Sequence, residues 1–409
     1  MRGSGVAVVA VVCALLGGTA ALGLAKAGGW LGDGSETIVL REQDSASPAA
    51  QVETGTSDDA AKPLAGNDFD PATIYRERAD GVVTVYSFFD GAGDTEAGAA
   101  QGSGFIVDED GYILTNSHVI TTAGEGQAGA RVRPAHQVYV QFRDGDRIEA
   151  EVVGYDLYDD VGVLKVNPED HELRPVPLGD SAEVVVGEPV AAIGSPFGQE
   201  SSLSVGVVAA TERSIESLTS TYSLVDAIQT DAPINRGNSG GPLFDGRGRA
   251  IGINAQIRSE SGTAEGVGFA VPINSAVRSM EQLKETGSVE YAWVGVTTQT
   301  VTPSLAERLR LGAERGAAIQ DVVDGSPADR AGLRGGARER EIEGIPITTG
   351  GDLIVAVDGT AIESAEDLVR AVTDRLPGET ATFTILRGDE QLDVKVKLGE
   401  RPAQPPALG

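Results

Sequence analysis

The 409-residue chain predicts an all-β domain followed by a smaller α+β module, both carried behind one apolar N-terminal segment. Three observations point there. Residues 5–25 contain no charged side chain. Residues 71–272 are short apolar runs broken by glycine turns, and residues 293–400 mix β-branched runs with capped helical stretches.

The N-terminal segment "GVAVVAVVCALLGGTAALGLA" would extend about 30 Å as a helix, the thickness of a bilayer core. Arg2 precedes it, which favours a cytoplasmic amino terminus and an exported remainder. The expectation for residues 1–32 is a single membrane-spanning helix. Ala25-Lys26-Ala27 loosely fits a signal-peptidase site, so secretion after cleavage is the alternative. Cys13 is the only cysteine and lies inside this segment, which rules out an intramolecular disulfide. Residues 33–70 are rich in Ser, Thr, Ala, Asp and Glu and poor in periodic apolar residues. They read as a disordered acidic linker.

Apolar residues make up 41% of the chain and the net charge is -29. Cores can therefore be built, while binding of nucleic acid through a basic surface is excluded. No metal-ligand cluster or phosphate-binding motif is evident in the sequence, so no cofactor is expected.

Within residues 71–288 the strand candidates include "GVVTVYSF", "GSGFIVDEDGYILTN", "VYVQF", "DVGVLKV", "PVAAIG", "LSVGVVAAT" and "AIGINAQI". Their length and spacing argue for a sandwich or barrel, and "DEDG" at 108–111 reads as a hairpin. "NSAVRSMEQLKETG" should close the domain as a helix, with Asn274 as its N-cap and Gly287 at its end. In residues 289–400, Ser326 with Pro327 and Asp329, and Ser364 with Asp367, each predict a capped helix. "DLIVAVDG", "TATFTILRG" and "QLDVKVKLG" are strands. "GGARERE" reads as a surface loop and "RGD" at 387–389 as a hairpin turn. Residues 401–409 remain as a tail.

The stretch "NRGNSGGPLF" sets Ser239 among glycines. A serine hydroxyl becomes a nucleophile only when a neighbour takes its proton. Of three histidines, His136 and His171 lie in polar stretches and read as solvated, whereas His118 in "TNSHVI" follows an apolar strand. For the orienting acid, Asp156, Asp159 and Asp160 are available. Asp160 stands at the start of a strand, where a carboxylate can be held against an imidazole, while Asp159 should face solvent. The chain order His118, Asp160, Ser239 is that of chymotrypsin-like two-barrel proteases.

Together, "GSGFI", "TNSHVI", "DDVGVLKV", "GSPFG", "SVGVVAAT", "QTDAPINRGNSGGPLF" and "GVGFAVPIN" resemble, in order, the trypsin-like core of the HtrA (Deg) family. "WVGV", "GSPADRAGL" and "GGDLIVAVDGTAI" resemble that family's C-terminal PDZ domain. The resemblance implies an all-β two-barrel protease domain plus an α+β PDZ domain, with a triad of His118, Asp160 and Ser239. It implies an oxyanion hole from the N–H groups of Gly237 and Ser239, with Asn238 between them. The S1 pocket would draw on Ile234, Asn235, Arg236, Ile253, Asn254, Ala255, Gly266, Val267 and Gly268. Their small and aliphatic character predicts cleavage after Val, Ala or similar residues. Trp293, Val294, Gly295 and Val296 would form the carboxylate-binding loop of the PDZ domain. Leu368 and Val372 would line its groove, or else serve as core. A homotrimer is implied as well.

The expected function is ATP-independent, extracytoplasmic serine endopeptidase activity on misfolded or unfolded exported proteins, with peptide C-termini bound at the PDZ domain. Alternatives are a latent protease acting as a holdase or peptide-sensing scaffold, and a signalling protease cutting one envelope partner.

Overall fold

In a computed structural model, the described residues are 69–90, 98–123, 132–195, 202–220, 222–235, 237–255, 267–342 and 344–402. The expected membrane helix and nearly all of the linker lie outside them. Among the described residues no helix is long and apolar enough to cross a membrane.

Residues 82–165 close into one barrel. Its strands are β1 (Val82–Phe89), β2 (Gly98–Ile106), β3 (Tyr112–Thr115), β4 (Gln137–Gln141), β5 (Arg147–Asp156) and β6 (Val161–Lys165), in the spatial order β1-β2-β3-β6-β5-β4. The sequence "QVYVQ" of β4 shows why it is a strand: Val138 and Val140 are buried while their neighbours are not, which is period-two alternation. The turn over Asp108–Gly111 joins β2 to β3 as anticipated, closed by Gly111 N–H to Asp108 O at 3.3 Å. A second closed barrel contains β7 (Pro189–Gly194), β8 (Ser202–Glu216), β9 (Ser223–Thr230), β10 (Pro242–Phe244), β11 (Ala250–Ala255) and β12 (Gly268–Pro272). Closure removes sheet edges. One continuous core cluster joins the barrels, with Phe105, Leu114 and Val163 from the first and Ile193, Phe244 and Ile253 from the second.

Helix α1 (Pro71–Arg78) precedes the first barrel, and its N-cap is Asp70, whose carboxylate accepts Thr73 N–H at 3.0 Å. Phe69 is 1% exposed and belongs to the core. The folded domain therefore starts before residue 71, because one aromatic at the end of the acidic stretch has apolar surface to bury. The one-turn helix α2 (Ser117–Ile120) follows β3. Helix α3 (Ile273–Thr286) ends at Gly287 in the left-handed region, as expected, but its N-cap is Pro272, which makes no side-chain cap. Asn274 instead donates to Asp180 at 2.7 Å.

The third region holds β13 (Ala292–Trp293), β14 (Val296–Val301), α4 (Pro303–Leu309), β15 (Gly316–Val322), α5 (Pro327–Ala331), β16 (Arg338–Ile342), β17 (Ile345–Thr349), β18 (Leu353–Val357), β19 (Thr360–Ala361), α6 (Ala365–Thr373), β20 (Thr380–Arg387), β21 (Glu390–Lys397) and β22 (Gly399–Glu400). Its main sheet runs β14-β15-β18-β20-β21, so β14 is an edge. Ser326 and Ser364 cap α5 and α6 by accepting Asp329 N–H and Asp367 N–H, both at 3.1 Å. "GGARERE" is not a plain loop: residues 338–341 pair with 346–349 as a separate two-stranded arm. The RGD tripeptide begins in β20 and turns into β21. Arg387 is engaged internally by Asp352 at 2.7 Å.

This region lies in the same compact unit as the barrels. Arg370 of α6 reaches Asp226 of β9 at 2.7 Å and Glu212 of β8 at 3.2 Å. Arg278 of α3 reaches Asp374 at 3.0 Å.

Candidate active site

The three residues singled out for chemistry stand at the seam of the two barrels. His118 is on α2, Asp160 on the turn between β5 and β6, and Ser239 on the loop before β10. Asp160 is 4% exposed, with φ of 53°. Aspartate tolerates this left-handed conformation better than most residues. Its carboxylate is surrounded by donors from the His118 turn. Oδ1 accepts Ser117 Oγ–H at 2.8 Å and His118 N–H at 3.0 Å, and Oδ2 lies 2.7 Å from His118 Nδ1. Asn116 Nδ2 and Ser117 N–H donate to the Asp160 carbonyl at 2.9 and 3.2 Å. Hydrogen bonds to a charged group are worth about 1.5–3 kcal/mol each. The carboxylate therefore fixes both the imidazole and the backbone that carries it.

Ser239 is brought to the same place by β2. Ser103 N–H donates to Ser239 O at 2.8 Å, and Ser103 Oγ donates to Gly237 O at 2.6 Å. A Cβ added to Gly102 would stand 2.6 Å from Val119 Cγ2 and 3.1 Å from Ser239 O. The β2 backbone is thus sandwiched between the His118 turn and the serine loop. Gly240 is required beside it: φ is 86°, and an added Cβ would meet Ser103 O at 2.1 Å.

The backbone of this loop divides its N–H groups into two sets. Those of Asn238, Gly240 and Gly241 bond to Asn235 O (3.2 Å), Asn254 O (2.8 Å) and Asn238 O (3.0 Å). Those of Gly237 and Ser239 have no hydrogen-bond partner among the described residues. The Ser239 Oγ is buried and also without a partner. Asn238 shapes the loop from within, accepting Asn235 N–H at 2.9 Å and donating to Pro233 O at 3.1 Å. An available hydroxyl, an oriented imidazole and two alternate free N–H groups are the parts that acyl transfer needs.

Other anticipated residues fall less simply. Asp159 does not face solvent: it is 7% exposed, because Arg278 of α3 covers it at 3.1 Å. Asp156 is 2% exposed and accepts the hydroxyls of Ser279 (2.8 Å) and Tyr291 (2.5 Å). His171 is not simply solvated either. Its ring stacks on Phe142 at 3.7 Å, and Nε2 lies 2.9 Å from Asp144. Burial works against its protonation, but the Asp144 carboxylate and the Glu172 carbonyl outweigh it and hold it above the ordinary range. Asp144, Asp146 and His171 have ligand-type atoms within 4.8 Å of one another, a grouping explained by the His171–Asp144 bond. His136 is half exposed, 3.5 Å from Asp90.

Of the residues expected at S1, Ile234 packs over Gly268, where an added Cβ would meet Ile234 Cγ1 at 2.5 Å. Ile253 and Ala255 turn into the core, and Asn254 is tied through its side chain to Pro242 O at 3.0 Å. The side chains of these β11 residues are occupied, so a substrate would meet mainly their backbone. Asn235 and Val267 are exposed, while Arg236 and Gly266 lie outside the described residues. A surface groove of about 910 Å³ runs beside β4 and β5, near Val138, Glu149 and Val152, and includes none of the three chemical residues.

In the third region, Trp293 pairs with Gly399 rather than standing in a loop. The turn proper is Val294-Gly295, with carbonyls accepting Ala328 N–H (2.9 Å) and Val323 N–H (3.0 Å). Val296 opens the edge strand. Leu368 and Val372 are 3% and 5% exposed, in one core cluster with Val294 and Val296. In this conformation they act as core.

Ser117 and Ser103 also serve the site and both stand in the quoted motifs; Ser103 lies between Gly102 and Gly104, in a glycine-rich setting like that of Ser239.

Two antiparallel barrels with this site at their seam, followed by a peptide-binding type of module, define a trypsin-like domain joined to a PDZ domain. Family comparison agrees: residues 102–253 match the trypsin-like peptidase domain and residues 293–398 the PDZ domain. The chain belongs to the HtrA family of proteases. It is similar to solved structures of the HtrA-type protease AlgW. With a bound tripeptide the identity is 34%, the TM-score 0.65 and the coverage 81% of this chain and 97% of that one. For the S227A form with a decapeptide the values are 32%, 0.63, 82% and 99%. Among curated proteins it is 42% identical over 304 residues to a probable periplasmic serine endoprotease DegP-like of Hahella chejuensis, covering 74% of this chain and 58% of that protein. A protein of the same description from Halomonas elongata is 39% identical, with 76% and 58% covered. The chain thus spans somewhat over half the length of the curated relatives it matches.

Proposed function

We propose that the protein is an ATP-independent serine endopeptidase in which His118, Asp160 and Ser239 form the catalytic triad. The observation that carries this reading is the pairing of a His118–Asp160 contact of 2.7 Å with free N–H groups at Gly237 and Ser239. His118 Nε2 takes the proton of Ser239 Oγ–H as Oγ attacks the scissile carbonyl carbon. The carbonyl oxygen becomes an oxyanion and accepts hydrogen bonds from Gly237 and Ser239, each worth about 2.7–4 kcal/mol in the transition state. His118 then protonates the leaving amine as the C–N bond breaks, leaving an acyl-Ser239 ester. A water, deprotonated by His118, releases the acid and restores the serine. Asp160 keeps the Nδ1–H tautomer and stabilises the imidazolium without itself taking the proton. None of these steps calls for a cofactor.

The substrates in this reading are unfolded or misfolded exported proteins, cut after small aliphatic residues in a pocket bounded by Ile234 and Gly268. A peptide C-terminus adds to the β14 edge, its carboxylate held at Val294-Gly295. Because Leu368 and Val372 are packed away, ligand entry beside α6 requires that helix to shift. Support for an extracytoplasmic setting comes from the periplasmic description of the relatives and the apolar segment 5–25. We assign that segment as a single-pass anchor, and the assembly as a trimer.

The test uses the full chain and its Ser239→Ala variant with unfolded casein and a fluorophosphonate probe. Casein cleavage and covalent labelling by the wild type, both abolished in the variant, are expected. Absence of both, with and without hydrophobic C-terminal peptides, overturns the reading in favour of a peptide-sensing scaffold. Cleavage of one membrane-anchored partner but not casein would instead make it a signalling protease.

A further inference from the structure

The chain leaves β22 and comes to rest on Tyr158 of the first barrel, Tyr222 of the second and Tyr291 ahead of β13. Arg401 N–H donates to Tyr291 O at 2.9 Å. Its guanidinium carbon lies 4.9 Å from the ring centroid of Tyr291 and 5.2 Å from those of both Tyr158 and Tyr222. The three rings support one another edge-on, with Tyr158 5.0 Å from Tyr291 and 5.6 Å from Tyr222. The next residue closes the arrangement: Pro402 O accepts the hydroxyls of Tyr158 at 3.2 Å and Tyr222 at 3.1 Å. A cation enclosed by three aromatic faces is a strong, oriented contact.

One of those rings belongs to the turn that presents Asp160. That turn is fastened at each residue. Asp156 Oδ1 accepts the N–H groups of Tyr158 (2.9 Å) and Asp159 (3.4 Å). Asp156 Oδ2 accepts the Tyr291 hydroxyl of the same cage. Leu157 O accepts Thr219 Oγ1–H at 2.6 Å, and Asp159 is paired to Arg278. Among the described residues, Tyr158 is therefore the position where the turn is gripped by the residues following the PDZ sheet, two residues before the left-handed Asp160.

We infer that Arg401 is a positioning residue for Asp160: seated among Tyr158, Tyr222 and Tyr291, it holds the 156–160 turn so that Asp160 Oδ2 meets His118 Nδ1. The inference rests on the triad reading above. It also makes the end of the PDZ domain part of the support for the protease chemistry, separate from any ligand bound at β14.

The test compares full-length Arg401→Ala, Arg401→Lys and Tyr222→Phe with wild type, reading kcat and KM on a short peptide and the rate of fluorophosphonate labelling. Small displacements of a catalytic group cost rate out of proportion to their size. Arg401→Ala should lower kcat and labelling by about tenfold while KM stays within about twofold. Arg401→Lys should recover most of the loss, since an ammonium also binds ring faces. Tyr222→Phe, which removes one hydroxyl and keeps the ring, should fall between. Wild-type kcat in Arg401→Ala overturns the inference, as does equal loss in the Ala and Lys variants. If Arg401→Ala does not fold, Tyr222→Phe decides, and its wild-type kcat overturns the inference. Asp160→Asn separates the two readings. If it retains full activity, the triad reading itself fails. If it is inactive while Arg401→Ala is unaffected, only the present inference fails.

Discussion

Arg370 of the PDZ helix α6 lies 2.7 Å from Asp226 of the second barrel, and both of its acidic partners on that barrel stand on irregular backbone. Asp226 has φ of 63° and Glu212 of 58°, and β8 is shifted in register against β9 between Ala210 and Arg213. The strand irregularities turn two carboxylates outward toward one guanidinium. Arg370 is about one-third exposed, so screening limits the gain to about 1 kcal/mol or less. Arg370→Ala is expected to speed amide exchange along α6 without changing exchange in the barrels. Raising salt on the wild type should do the same in part. Exchange in α6 indifferent to both changes would show that apolar packing alone holds the helix there.

Replacing Asp160 with Asn preserves shape and removes charge. The imidazole would then lose the acceptor that fixes its tautomer, and kcat should fall by roughly 10⁴. A loss below tenfold, measured as kcat on a peptide substrate, would argue against Asp160 as the residue that orients His118.

Gly240→Ala should be among the most damaging single methyl additions in the chain. The residue sits at φ of 86°, and the new Cβ would stand 2.1 Å from Ser103 O and 2.5 Å from Thr115 Oγ1. The left-handed conformation alone costs about 1–2 kcal/mol, and the contact must move either the serine loop or β2. Fluorophosphonate labelling should be lost while circular dichroism still reports folded barrels.

Asp156 supplies a dependence on pH. Burial, reinforced by Asp159, pushes its carboxyl up to about 6, against the pull of the Tyr291 and Ser279 hydroxyls. An unfolded aspartate titrates near 3.9, so the folded protein binds this proton more tightly. The cost of keeping the group charged is fully present above about pH 6 and is relieved as the pH falls toward 4. Asp156→Asn should therefore flatten the gain in stability on acidification across that window, measured by urea unfolding at several pH values. Parallel curves for the two proteins would mean that folding does not raise this carboxyl above its unfolded value.

Phe69 tests where the fold begins. At 1% exposure within the joint core, its truncation to Ala should cost about 3–5 kcal/mol. A chain begun at residue 71 should be destabilised to a similar degree.

Much of this was readable along the chain because its causes are local. The capping serines Ser326 and Ser364 bond residues three positions on, and Asp160 could be placed because a strand begins immediately after it. The helix α3 start differs for a remote reason: Asn274 has the chemistry of a cap, but Asp180 and Ser181, over ninety residues away, engage its side-chain amide. Asp159 was expected in solvent because its cover, Arg278, is remote in sequence. The tyrosine cage was invisible for the same reason. Tyr158, Tyr222, Tyr291 and Arg401 share no spacing or motif, and only the closed barrels and the returning end of the PDZ domain bring them together. The groove side chains Leu368 and Val372 left two readings open because one spacing serves both core and ligand.

The division of His118 and Asp160 from Ser239 between the two barrels has a consequence for biogenesis. In a chain that emerges amino end first, the strands that carry the proposed base and acid, residues 82–165, precede the proposed nucleophile Ser239 by more than seventy residues. Until Ser239 follows, the proposed triad is incomplete. On the proposed triad, the full set of groups comes together only when the second barrel closes against the first, so assembly of the seam is itself the step that would switch the chemistry on.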